Sequence, residues 1–363
     1  MRTKVEMSTS SLLDELMKFG KCIELLQQNL HKKRCISLPD IYLDRIIKFN
    51  DEFQKLLEQI DQFFAGKARN ILVQKQELIL GGNALNTAKT TAWLGLPTIF
   101  IAETDRLGET LLRSANYDNL ILHLKVTDKG NYTTALEVIH KNIRKNIQIS
   151  YSPAIANFGP DKLEEQDWQA ILTADAIALC NWGANDKAND LFKEIFDRTA
   201  GTRQITFLDP ADVFRKKEAI LELVEILQDV KYLSVNKDEF AFMNKKLGDS
   251  RDFETLLKEG GQLNQKLPGT HIIVHTQEWV KIFKQDLALK IPTYDIQPLF
   301  QTGLGDTFNA GFLVGLLLGM SIGASSLFGS ATAGHYGVYG QLPHLDEIFT
   351  FAQTNELRSI SVV

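Results

Sequence analysis

Cysteine is scarce: the 363 residues hold only Cys22, Cys35 and Cys180. Their spacing suits neither a disulfide framework nor a zinc site, so a reducing, cytoplasmic setting is expected. The seven histidines show no metal-ligand spacing. No long basic run accompanies the net charge of −5. That argues against a nucleic-acid partner, because neutralising phosphates takes clustered Lys and Arg. The opening stretch MRTKVEMSTSSLLDEL mixes charges from the outset and lacks the apolar segment of a signal peptide. Repeats and low-complexity linkers are missing too. One stretch without charge does occur, since no Asp, Glu, Lys or Arg lies between Asp306 and Asp346. Its strongly apolar part, 310–320, is shorter than the ~20 residues of a membrane span and reads as a buried core helix.

What is present is ordinary for a globular protein: 44% hydrophobic and 23% charged residues, enough to bury a large core. Leu12, Leu16, Phe19, Ile23, Leu26 and Leu30 recur every three or four residues and predict one amphipathic helix over 9–30. Ser11 and Asp14 resemble a capping box at its start. Residues 1–34 then form a helical extension, either packed on the body or serving as a dimerisation arm. A first strand is expected over 35–43, ending at Asp44. A short helix follows at about 51–64, capped by Asn50 or Asp51, then a strand over 71–80 and an Ala- and Thr-rich helix over 83–95. Strand patterns fall at 119–126, 133–139 and 145–151. From about 160, strands at 175–180, 204–208, 230–235 and 271–274 alternate with helical patterns at 186–199, 215–228 and 251–259. That alternation implies a mostly parallel sheet covered on both faces, an α/β fold.

Two stretches carry chemistry. In Gly303-Leu304-Gly305-Asp306 the glycines allow a tight turn, and an apolar helix begins at once. The first N–H groups of a helix have no internal partners and make an anion site. Asp306 there is free to accept a proton from an incoming hydroxyl, or it is a plain N-capping residue. In Gly81-Gly82-Asn83-Ala84-Leu85-Asn86 a Gly pair between strand and helix can be a hinge or let a ligand approach the backbone, or the stretch is a tightly packed helix with a surface Asn. Asn86 is a polar residue among small ones, one turn into the helix.

Together with Asn236-Lys237-Asp238-Glu239 and with Asp44 before Arg45-Ile46-Ile47, these stretches resemble the PfkB or ribokinase family of carbohydrate and nucleoside kinases over about 35–355. TALEVIHKNIRKNIQISY and FLDPAD are similar to archaeal-type members. The resemblance implies a ribokinase-like three-layer fold. A kinase domain over 35–363 would carry a small β-rich lid from about 45–80 and 118–151, with the helix near 51–64 as an insertion in it. It implies ATP as phosphoryl donor, Mg²⁺, and a sugar, sugar phosphate or nucleoside as the small-molecule acceptor. A dimer would use the lid or the N-terminal helix. By the same resemblance Asp306 is the catalytic base and Gly303, Leu304 and Gly305 form the anion hole. Asp44, Gly82 and Asn86 bind the acceptor. Asn236 and Glu239 organise phosphates, and Glu239 reaches the metal through water.

Departures from the family pattern also matter. Phe300 stands where potassium-binding members carry Asp, so potassium activation is not expected. Val274-His275-Thr276-Gln277 does not reproduce the family's nucleotide-contacting Thr-x-Gly. Asp209 and Asp212 could touch metal or phosphate, or simply form the turn beside Pro210. Arg215 could reach a phosphate, and Asn181 and Asn185 end a strand where ligands gather in open α/β sheets. Lys75, Lys125, Arg144 and Lys145 fall in the segments assigned to the lid and could meet a phosphorylated acceptor, or could face water. Two other functions fit the motifs: a non-catalytic ligand-binding member, which loss of the base or a glycine would favour, and a kinase using ADP, against which the N-x-x-E spacing and lid size argue.

Overall fold

The computed structural model describes residues 9–67, 70–141 and 143–359. Thirteen strands occur among them: β1 (Cys35–Leu38), β2 (Tyr42–Glu52), β3 (Lys75–Gly81), β4 (Thr98–Asp105), β5 (Leu120–Thr127), β6 (Tyr132–His140), β7 (Ile143–Tyr151), β8 (Ala176–Cys180), β9 (Ile205–Asp209), β10 (Tyr232–Asn236), β11 (His271–His275), β12 (Trp279–Lys284) and β13 (Leu287–Pro292). Nine of them build one sheet in the order β13-β12-β11-β10-β9-β8-β1-β4-β5. It is parallel except where β12 pairs with β11 and β13. Its central strands are apolar on both faces, as a sheet covered on two sides requires. Ile177, Leu208, Leu233 and Ile272 pack into one layer of helices, whereas Ala176, Phe207 and Ile273 pack into the other. This is the three-layer α/β architecture expected from the alternation of strands and helices.

From β1 the chain builds outward through β4 and β5 on one side and through β8, β9, β10 and β11 on the other. β1 is therefore the point where strand order reverses. Ligands in such sheets bind beyond the carboxyl ends of the strands at that point. The loops after β1, β8, β9, β10 and β11 all open there.

The second sheet has four strands in the order β3-β2-β6-β7. Its alternation is that of a sheet with one covered and one open face. Asp44 pairs across the strands with Ile79 and Thr133, Ile46 with Ala135, and Thr133 with Ser150, so these residues share one face. On the other face Phe49, Leu136 and Val138 pack against Phe53, Leu56 and Ile60 of the Phe53–Phe64 helix. This is the helix expected as an insertion between two lid strands.

Several expectations need correction. The predicted 35–43 strand is two strands in two sheets: β1 ends at Leu38, where Pro39 has no N–H to continue a ladder, and Asp44 belongs to β2. The 119–126 strand is not part of the lid. As β5 it pairs in parallel with β4 along its whole length and forms the edge of the large sheet. The second lid segment therefore begins at Tyr132. The predicted 9–30 helix is two helices, Thr9–Gly20 and Ile23–Leu30, and Ser11 lies inside the first rather than capping it. The Asn50 and Asp51 side chains lie outside the described residues.

The N-terminal helix packs on the body. Leu12 and Leu16 are buried among Ala324, Phe328 and Phe349, and Glu15 accepts hydrogen bonds from the Ser321 N–H and hydroxyl at 2.8 and 2.7 Å. Most of the apolar 310–320 stretch, up to Leu317, lies in the buried helix Leu304–Leu317. Among the described residues no helix is long and apolar enough to cross a membrane. Cys22 is exposed, Cys35 and Cys180 are buried, and all three are free.

Candidate active site

Gly303 caps the Leu304–Leu317 helix at φ 83°, a left-handed conformation that glycine adopts without a Cβ penalty. The turn places Asp306 in the first helical turn, 7% exposed, below the mouth of the small sheet. A second helix start meets it. Gly82, at φ 108°, precedes the Asn83–Trp93 helix, and a Cβ there would sit 2.8 Å from the Asp40 carbonyl oxygen. The buried Asp40 carboxylate accepts from the Asn83 and Ala84 N–H groups at 2.8 and 2.9 Å, and from Asn181 Nδ2 at 3.1 Å. Asp40 thus satisfies the orphan donors at that helix end and fixes where Asn83 and Asn86 point. Asn83 Nδ2 donates to Asp306 Oδ1 at 2.9 Å, and Asn86 Nδ2 donates to Asp306 Oδ2 at 2.8 Å.

Burial pushes the Asp306 carboxyl up to about 7, and the Asp40 charge adds to the rise; the two amides and Lys89 pull it down. A carboxylate that titrates near neutrality is matched to proton transfer at physiological pH. Burial likewise raises Asp44 to about 6.

The Gly303–Asp306 turn separates two clefts. On the lid side, a cleft of ≈ 320 Å³ is walled by Asp44, Gly82, Asn86, Thr133, Gly303 and Asp306, with Asp212 and Arg215 at its rim. On the other side, a cleft of ≈ 280 Å³ lies against Leu304 and Gly305 and reaches Asn236, His275, Tyr294 and Ser330. Two members of the turn thus face each cleft. Burial holds the His275 imidazole down to about 4, so it is neutral at pH 7.

Between the clefts lies an acidic pair. Asp209, at the end of β9, accepts from the Ala211 N–H at 3.0 Å and from Asn309 Nδ2 at 2.8 Å. Glu239 closes a capping box with Asn236, whose side chain accepts from the Asp238 and Glu239 N–H groups. Burial raises both carboxyls, and the charge of Glu239 pushes Asp209 further.

The structure brings together Asp44, Gly82, Asn86, Gly303, Leu304, Gly305, Asp306, Asn236 and Glu239. Asp209 and Asn181 join them. Asn185 does not: it is buried, donates to the Phe158 carbonyl and accepts from the Lys187 N–H, a structural role. Lys125 is held by Asp167 at 2.7 Å and Glu164 at 3.1 Å on the outer edge of the large sheet. It cannot meet an acceptor, because β5 is not in the lid. Lys75 pairs with Glu77 at the start of β3, away from the cleft. The Arg144 and Lys145 side chains lie outside the described residues.

Sequence reasoning missed Asp40, Asn83 and Lys89. Asn83 stood inside the Gly-Gly motif, and an amide at the first position of a helix could have marked it. Asp40 carries no local signal, since its partners are 43 and 141 residues away along the chain.

Comparison with known proteins agrees with this geometry. A family model described as pfkB family carbohydrate kinase matches residues 55–335. A ketohexokinase of Haloferax volcanii is 22% identical, with 91% of this chain and 94% of that protein covered. Solved structures are similar in fold. The ribokinase of Thermotoga maritima has a TM-score of 0.68 at 18% identity, covering 88% of this chain and 99% of that one. The ribokinase of Arabidopsis thaliana, complexed with ribose and ATP, has a TM-score of 0.68 at 15% identity, covering 88% and 98%. The chain belongs to the pfkB carbohydrate kinase family, whose members are phosphotransferases that act on sugar or nucleoside hydroxyls.

Proposed function

We propose that the protein transfers the γ-phosphoryl group of ATP to a hydroxyl of a sugar, sugar phosphate or nucleoside, with Asp306 as general base. The observation that carries this reading is the placement of Asp306: two amides orient its carboxylate at the wall between two clefts. The acceptor occupies the lid cleft, where Asp44 and Asn86 hold hydroxyls directionally and Gly82 lets the substrate approach the backbone. ATP occupies the other cleft, with its phosphates toward the Gly303, Leu304 and Gly305 backbone. The free N–H groups and the positive helix end stabilise charge on the transferring phosphoryl group. Phosphoryl transfer asks for this positioning and charge stabilisation above all. Asp306 takes the proton as the hydroxyl oxygen attacks.

The donor set between the clefts fits Mg²⁺. Asp209 and Glu239 are hard oxygen donors with no Lys or Arg in ion-pair contact among the described residues. Two carboxylates suit an ion that keeps most of its waters, so Glu239 acts through water, and Asn236 orders the loop beside it. Bound there, Mg²⁺ would neutralise charge on the donor phosphates.

The test is a coupled assay with ATP and Mg²⁺ over a panel of sugars, sugar phosphates and nucleosides, run at matched ionic strength in sodium and in potassium buffers. One acceptor should turn over with Mg²⁺ in either buffer, since Phe300 replaces the family's cation-site Asp. Failure of every acceptor would sink the reading, and a tenfold preference for potassium would show that another group supplies a monovalent-cation site.

A further inference from the structure

The lid cleft does not end at Asp44. Asp44, Ile79, Asn86 and Thr302 also wall a second chamber of ≈ 460 Å³, which continues between β3 and the Asn83–Trp93 helix. Its other walls are Leu78, Leu80, Leu111, Tyr117 and Tyr336, mostly apolar, and one cation, Lys89. Lys89 lies one helical turn beyond Asn86 and so projects on the same side as a residue that touches Asp306.

The ammonium of Lys89 is under-used. Its one hydrogen bond among the described residues goes to the Leu80 carbonyl at 3.1 Å, and no described carboxylate lies within ion-pair distance. An ammonium carries three donors. Asp44 and Asp306 act on it only from further off, and burial still pulls its proton affinity down, to about 8. Desolvating a charge without a partner is costly. If the small sheet closed over a neutral polyol in the first chamber, Lys89 would be left with a single carbonyl. An anion in the second chamber would instead give it charge-assisted hydrogen bonds.

On the basis of the kinase reading above, we propose that the second chamber binds an anionic group of the acceptor, a carboxylate or a phosphate, through Lys89. The acceptor is then an acidic polyol. Its reacting hydroxyl lies against Asp306, its middle lies along Asp44 and Asn86, and its anionic end lies beside Lys89, Tyr117 and Tyr336. Compared with the charges first suspected from the sequence, Lys89 has the advantage of lining the chamber directly, whereas Lys125 is bound elsewhere.

Two readouts separate this inference from the kinase reading. The first is thermal protection of wild type, Lys89→Met, Lys89→Gln and Lys89→Arg by matched probes: D-gluconate and ribose 5-phosphate against glucitol and ribose. At least one anionic probe should raise the wild-type midpoint more than its neutral counterpart. Lys89→Met and Lys89→Gln should lose that excess, and Lys89→Arg should keep part of it. The Gln and Arg variants preserve polarity at the site should the Met variant not fold. The second readout is turnover with ATP and Mg²⁺. KM for the anionic acceptor should rise at least tenfold in Lys89→Gln, while kcat, compared at a pH where Asp306 is ionised in both proteins, changes by less than threefold. Equal protection of wild type and Lys89→Gln, or protection by neutral probes alone, overturns the anion subsite whether or not turnover occurs. Lys89-dependent protection without turnover of any acceptor supports the subsite and removes the kinase reading.

Discussion

The two clefts beside the Gly303–Asp306 turn differ in how their walls are made. The acceptor cleft draws polar side chains from the start of the Asn83–Trp93 helix, the open face of the small sheet, the loops after β8 and β9 and the turn itself. Asp306 there is buried and ordered by two amides, and burial shifts both it and the half-buried Asp44 upward toward neutrality. The donor cleft is framed by Tyr294, Ile296, Pro298, Leu304, Phe308 and Ala333, and its exposed wall is mostly apolar. The contrast follows the two ligands proposed for them. A polyol needs directional hydrogen bonds to be held in one pose. A nucleobase needs a flat apolar slot and a few polar contacts, its phosphates being held by backbone at the helix start.

The largest expected effect tests the acceptor side. Asp306→Asn should lower kcat by about 10²–10⁴-fold, the usual worth of a general base. Binding of ATP should change little, because Asp306 faces the other cleft. Single-turnover rates and nucleotide titration read the two properties separately. A variant within threefold of wild type would reassign the base.

The same carboxyl gives a pH prediction with a defined sign. Its folded pKa is about 7, above the ordinary value of 3.8. The wild-type fold therefore keeps this group's full contribution to stability below about pH 4 and loses it as pH rises through about 7. Asp306→Asn removes the ionisation. The difference in melting temperature, variant minus wild type, should increase from about pH 4.5 and level off above about pH 7.5. Over the same range wild-type kcat/KM should climb with the ionised fraction of Asp306. A variant whose melting temperature tracks wild type across that range would show that burial does not disfavour the charge.

The acceptor cleft was also the more legible of the two in the sequence. A Gly turn before an apolar helix, and a Gly pair before a small-residue helix, leave local marks at Gly303 and Gly82 that follow from backbone sterics. Asn236 and Glu239 are legible through the resemblance to the family's N-x-x-E pattern, and the structure shows that this spacing closes a capping box. Asp40 was not legible, since its partners lie on other elements and the strand before it ends at Leu38, five residues earlier than the apolar run suggests. β5 was misplaced because alternation shows that a strand exists but not which sheet it joins. Its parallel pairing with β4 depends on the crossover through the Arg106–Ala115 helix. Beyond Asn236, Leu304 and Gly305, the donor cleft left almost no mark: His275, Tyr294 and Ser330 come from three elements and fit no short motif.

Between the clefts, Glu239→Gln keeps an oxygen for the Asn236 N–H and so preserves the capping box, but it removes a charge from the acidic pair. Groups that act on a metal through its waters are typically worth 10–100-fold in metal affinity. The Mg²⁺ concentration for half-maximal rate should rise by about that factor, with KM for the acceptor unchanged. An unchanged Mg²⁺ requirement would move the metal role to Asp209 alone.

The smallest effect is expected on the donor side, at Tyr294. Its ring is buried against Phe351, yet among the described residues its hydroxyl has no hydrogen-bond partner, and the residue lines the donor cleft. The Ser330 hydroxyl, in the same wall, is also unpartnered. An unmet buried hydroxyl costs about 1–3 kcal/mol, so deleting it should not lower stability, whereas a hydroxyl that gains a partner from bound nucleotide contributes about 0.5–1.5 kcal/mol to binding. Tyr294→Phe should therefore leave the melting temperature of the free protein equal or higher. KM for ATP should rise by roughly two- to tenfold, with KM for the acceptor unaltered. Ser330→Ala should behave in the same direction. A fall in melting temperature for both variants, without any change in KM for ATP, would mean that the hydroxyls serve the fold. The donor cleft would then hold its base by shape alone, and its contrast with the acceptor cleft would be sharper still.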